Sequence, residues 1–180
     1  MIEFISSFWS EHLVGRLHFI LAMVALFTGP VVFRREKGTR VHRILGYVYV
    51  LSMLCVNISA LTMYKLSGGF NLFHFFAITS LITIVPGWLC AVAARVRKDP
   101  RLINPHYFFM SWSYYGLLAA FISQVATQMG DNPFGLGIRP YVLIGVGTGL
   151  GCIVAALLIH TRANRILKRF IPSSRPEANS

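Results

Sequence analysis

The stretch Arg34–Lys65, RREKGTRVHRILGYVYVLSMLCVNISALTMYK, decides the fold. It opens on a cluster of basic residues, runs from Ile44 to Tyr64 without one charged side chain, and closes on a single lysine. An uncharged apolar run of about 20 residues matches the roughly 30 Å of hydrocarbon that a helix rising 1.5 Å per residue must cross. Working outward, the pattern recurs. Apolar runs over about 15–33, 41–64, 70–94, 106–129 and 141–160 predict five transmembrane helices. Residues 1–14 read as an amphipathic lead-in at the outer interface, 15–162 as the transmembrane domain, and 163–180 as a basic, partly disordered tail.

Composition agrees. Of 180 residues, 55% are hydrophobic and 13% charged, against about 25% charged in a soluble domain. The fold class is therefore an all-α integral membrane protein with a four-helix transmembrane core plus a fifth transmembrane helix. The net charge of +11 would point to nucleic acid in a soluble chain, but its distribution argues against that partner. Arg34, Arg35, Lys37, Arg40 and Arg43 form one cluster; Arg95, Arg97, Lys98 and Arg101 a second; Arg162, Arg165, Lys168, Arg169 and Arg175 a third. Arg16, Lys65 and Arg139 lie at the alternate ends of the runs. Basic loops on one side predict the bacterial cytoplasmic (inner) membrane, with the N-terminus outside and the C-terminus in the cytoplasm. Anionic lipid is the expected contact of the basic clusters. The basic residues follow the first apolar run, which argues against a cleaved signal.

Cys55, Cys90 and Cys152 fall in three different runs, give no CxxC pair, and read as packing residues. Thr39, Asn71 and Asn104 with Pro105 are expected helix N-caps. Gly145, Gly147, Gly149 and Gly151 lie mid-span in the fifth run. They read as a close-packing stripe, facing either the other helices or a second copy in a homo- or hetero-oligomer, and not as a nucleotide loop. Asn57 and Gln124 are expected to pair across the bundle.

No Asp or Glu lies inside an apolar run, which argues against a carboxylate-based proton relay or ion pump. No HExxH is present either. Histidine is the remaining buried ligand or proton carrier. The first four runs each begin with one, at His18, His42, His74 and His106. Alternating helix direction places His18 and His74 at the outer level and His42 and His106 at the inner level. Two imidazoles at one level can supply both axial ligands of a haem, and two such levels would make a relay. Gly29-Pro30 and Pro86-Gly87 near the inner level, with Ser59-Ala60 and Ala119-Ala120 towards the outer, are small residues that could leave the necessary room. The bland alternative is that each ring sits among headgroups with no ligand. A zinc site is the third reading, from His42, His106 and His160 inside or His12, His18 and His74 outside; few carboxylates stand near to support it.

The residues His18, Gly29, Lys37-Gly38, His42-Arg43, Gly46-Tyr47-Val48-Tyr49, His74-Phe75-Phe76-Ala77, His106, Met110 and Ser113-Tyr114 resemble a bacterial family of predicted membrane proteins of unknown function. The resemblance covers about 15–130 and makes the fifth helix look like an addition. The histidine layout is also similar to the transmembrane di-haem b-type cytochromes, which pass electrons across the membrane. That likeness implies haem b held by His18 with His74 and by His42 with His106, with a quinone or redox protein as partner. The chain departs from that group in its shallow inner histidines and in lacking a clear substrate-binding motif. The other functions that fit the sequence are an accessory or assembly subunit of a larger, respiratory-type membrane complex and a His-ligated zinc enzyme.

Overall fold

The computed structural model describes residues 2–62, 72–128 and 140–170. Five helices account for them: α1 (Ile2–Arg34), α2 (Arg40–Thr62), α3 (Leu72–Arg97), α4 (Ile103–Gln128) and α5 (Pro140–Phe170). No strand occurs among the described residues. Among the described residues, four spans are long and apolar enough to cross a membrane: Leu13–Arg34, Arg40–Thr62, His74–Arg97 and Ile144–Thr161. The protein is an all-α membrane protein. Helix α4 is as long as α3, but His106, the serines and Tyr107, Tyr114 and Tyr115 lower its hydropathy. It contributes Ser113 and Ser123 to the buried polar groups, beside Ser52 and Asn57 of α2 and His74 and Ser80 of α3.

Boundaries follow local chemistry. Thr39 caps α2 as expected, its Oγ1 accepting from the His42 N–H at 3.2 Å. Gly38 takes a positive φ of 82° in the turn before it, a conformation that glycine enters without steric cost. Asn104 is not the cap of α4. The chain leaves α3 through Lys98, at φ 52°, into a 3-10 turn over Pro100–Leu102 capped by Asp99. Asp99 Oδ1 accepts from the Arg101 N–H at 2.9 Å, and α4 begins before Asn104 is reached. The predicted cap Asn71 lies outside the described residues. The lead-in is not a separate element, since α1 runs unbroken from Ile2 into the first span. Helix α5 continues to Phe170, into the stretch expected as the tail.

Helix α1 packs on α2, α2 on α3, α3 on α4 and α4 back on α1, while α5 packs chiefly against α4. The first four helices thus form a ring with α1 and α3 on one diagonal, α2 and α4 on the other. Cross-links fix opposite directions for neighbours: His18 of α1 meets Ser59 of α2, while His42 of α2 meets the Val32 carbonyl. Large apolar side chains such as Phe19, Phe27, Leu51, Ile82 and Val96 face outward, as expected where the solvent is lipid. The core is Ala25, Tyr49, Val50, Met53, Ile84, Met110 and Leu117.

Several polar side chains inside the ring pair with one another, as hydrocarbon favours. Tyr49 Oη lies 3.1 Å from Ser113 Oγ. Asn57 donates to Ser80 Oγ at 2.9 Å. The expected Asn57–Gln124 pair is not formed, because Gln124 sits on an exposed face of α4. The cysteines are free, on α2, α3 and α5.

Two expectations about small residues gain detail. Gly29 lines an interior cavity, and the Tyr114 ring occupies the place where its Cβ would stand. That ring is also anchored by its hydroxyl, which donates to the Leu26 carbonyl at 3.2 Å. Gly29→Ala is therefore expected to lower stability by about 1–3 kcal/mol, the usual cost of overpacking. It should read as a lower melting temperature in detergent. Of the α5 glycines, only Gly151 closes on the bundle, a Cβ there falling 2.6 Å from Tyr115 Oη; Gly145, Gly147 and Gly149 face open space.

Candidate functional site: an imidazole-lined cavity

Helices α2 and α4 stand diagonally, yet Tyr49 reaches Ser113 between them. Each of these residues lies seven positions after a histidine, His42 on α2 and His106 on α4. Seven residues are close to two full turns, so each histidine lies on the same helix face as its partner, about 10.5 Å nearer the basic end. The two helices run the same way. The Tyr49–Ser113 contact therefore brings His42 and His106 to one level, facing one interior space.

That space is a cavity of about 510 Å³ to which all four ring helices contribute. The volume lies within the range of about 300–1,000 Å³ usual for cofactor and small-ligand sites. Val32, Val50, Val92 and Met110 supply apolar wall, Tyr49 lies at the deep end, and Lys37, Arg43 and Arg95 supply positive charge. No acidic residue lines it.

The protonation of both rings follows from their partners. His42 Nδ1 lies 3.3 Å from the Val32 carbonyl, and His106 Nδ1 lies 2.8 Å from the Gly87 carbonyl. A carbonyl only accepts, so each Nδ1 carries hydrogen and donates. In the neutral ring, Nε2 is then left with its lone pair. A backbone carbonyl fixing one nitrogen while the other is presented as a base is how proteins prepare histidine ligands for metals.

Gly46 completes the arrangement. It lies four residues after His42, one helical turn on, and lines the cavity. A Cβ built there would meet nothing within 4 Å. Glycine inside a helix costs about 1 kcal/mol relative to alanine. No close neighbour explains Gly46, so its effect is to leave the cavity open beside the His42 ring.

The outer pair stands on the other diagonal, on α1 and α3. His18 Nδ1 lies 2.8 Å from Ser59 Oγ. Because the Ser59 hydroxyl already donates to the Val56 carbonyl at 2.9 Å, Oγ accepts and His18 also carries its proton on Nδ1. His74 is buried on the opposite diagonal helix. The cavity described at the basic end is lined by His42 and His106. His160 is exposed on α5, and the His12 side chain lies outside the described residues. Among the described residues no three His, Cys, Asp or Glu side chains are grouped to hold a metal ion, which gives the zinc arrangement no support.

Sequence reasoning missed the His18–Ser59 hydrogen bond and the Tyr49–Ser113 contact. A signal existed for the last. Tyr49 and Ser113 are 64 residues apart, the same separation as His42 and His106, so one register relates both pairs.

Fold and site together define a helical membrane bundle holding an imidazole-lined apolar cavity at its basic end. The family model described as predicted membrane protein (DUF2306) matches residues 15–161, and the chain belongs to that family. The match runs through α5, so the fifth helix is part of the family's common region and not an addition. No curated protein and no solved structure matches the chain.

Proposed function

We propose that this chain is a b-type haem protein of the bacterial inner membrane that moves electrons across or within the bilayer. The observation that carries the reading is the convergence of His42 and His106 on one cavity, each with Nδ1 committed to a backbone carbonyl. His42 and His106 would hold the iron through Nε2, and bound haem would supply one-electron redox chemistry. The chain's own contribution is to fix both rings, exclude water with Val32, Val50 and Met110, and keep room open at Gly46. His18 and His74 remain the candidate ligands of a second, outer haem, supported by the fixed tautomer of His18.

In this reading the basic clusters lie in the cytoplasm, the N-terminus outside, and a quinone or redox protein exchanges the electrons. A dithionite-reduced sample of the purified chain is expected to show the Soret and α bands of a six-coordinate b-type haem. Their absence after expression with sufficient haem supply would end the proposal.

A second reading, an accessory or assembly subunit of a larger membrane complex, is favoured by one observation. Gly145, Gly147 and Gly149 of α5 face open space, the surface by which a helix admits a close neighbour. Under that reading a partner co-purifies, and His42→Ala and His106→Ala leave the complex and its activity intact.

A further inference from the structure

The cavity is not uniformly apolar. Its positive residues are confined to the end nearest the connecting turns, where Arg43 leaves α2 and Arg95 leaves α3, on two helices that are neighbours in the ring. Lys37, the third cation, has its Nζ placed on the last carbonyls of α1, 2.9 Å from Phe33 O and 3.3 Å from Val32 O. Its position is thereby set by the helix end it caps. Both arginines line the cavity from neighbouring helices while remaining exposed, and no carboxylate lines the wall to neutralise them. Guanidinium groups so placed match carboxylates in both charge and geometry. An apolar body with an acidic edge would fit this cavity in one orientation only, with the body against Val50 and Met110 and the edge at the basic end.

We propose that Arg43 and Arg95 form a carboxylate clamp that fixes the acidic edge of the bound haem at the cytoplasmic mouth of the cavity. This rests on the haem reading above and adds to it the orientation of the group and two residues that select for its acid form. Neither arginine would touch iron. Their effect is on which porphyrin binds and how tightly.

The test uses the full chain, purified without haem in an uncharged detergent and titrated with haem b or with its dimethyl ester, which has the same ring and no carboxylates. The Soret shift on imidazole ligation reads binding of each. The wild type is expected to bind the diacid at least about tenfold more tightly than the diester, the scale of one charge-assisted hydrogen bond. The Arg43→Gln/Arg95→Gln variant should bind both as weakly as the wild type binds the diester. Equal wild-type affinity for diacid and diester would overturn the clamp while leaving the haem reading standing. Binding of neither porphyrin would overturn both. Displacement of the diacid by phosphatidylglycerol but not by phosphatidylcholine would overturn the clamp in favour of a lipid-phosphate site.

Discussion

In a chain whose outer pair is already removed by His18→Ala and His74→Ala, His106→Ala abolishes the six-coordinate b-type spectrum, and His42→Ala does the same, if the inner cavity holds haem as proposed. Each substitution removes a ring whose Nδ1 is already committed to backbone, at Gly87 and at Val32. The remaining imidazole cannot supply two axial bonds. Losing a mere hydrogen-bond partner of a ligand costs roughly 10–100-fold in metal affinity; losing the ligand should cost more. Neither ring is a core-packing residue, both being only half-buried, so the variants should still fold. His160→Ala is the matched control, since that ring is exposed on α5 away from the cavity. The measurement is haem content per chain, with the spectrum of whatever remains. Retention of a wild-type spectrum in both variants would locate the haem elsewhere.

Filling the cavity is expected to have nearly as large an effect without touching a ligand. Gly46→Phe places a ring in space where even a Cβ meets nothing within 4 Å, one turn from His42. The helix gains, because most residues are better helix formers than glycine by several tenths of a kcal/mol. Steric cost to the protein alone should be small. The variant is therefore expected to be at least as stable as the wild type in a detergent melt, and to carry little or no haem. Full haem occupancy in Gly46→Phe would show that the cavity at Gly46 is not where the group sits. A smaller Gly46→Ala change should leave binding nearly unaffected, which separates volume from helix propensity.

Much of the fold was legible because a membrane imposes few solutions. Long uncharged runs between basic clusters had to be helices, and the first and last of them were misjudged only at their ends. There the sequence offered no stop signal: α1 extends back through polar residues to Ile2, and α5 forward to Phe170. Asn104-Pro105 looked like a cap because asparagine before proline is a common helix start, but Asp99 and Pro100 had already begun the turn. The site was only half legible. One histidine near the start of each core helix was plain, whereas the cavity that His42 and His106 share was not. Depth in sequence made His42 and His106 look too shallow. What compensates is tertiary: the first turns of α2 and α4 face inward across the diagonal, held by Tyr49 and Ser113. Gly29 serves two ends, lining the cavity and admitting a neighbouring tyrosine. Sequence spacing predicts that two backbones come close, but not whether a ligand or a side chain fills the gap.

The central claim is that His42 and His106 are paired through one bound group. Low-temperature electron paramagnetic resonance of the oxidised, purified chain tests it most directly, because the signal reports the axial ligands themselves. With His18→Ala and His74→Ala combined to leave only the inner site, the spectrum should show low-spin ferric haem with two imidazole ligands. A high-spin ferric signal, or no haem signal at all from that variant, would contradict the pairing.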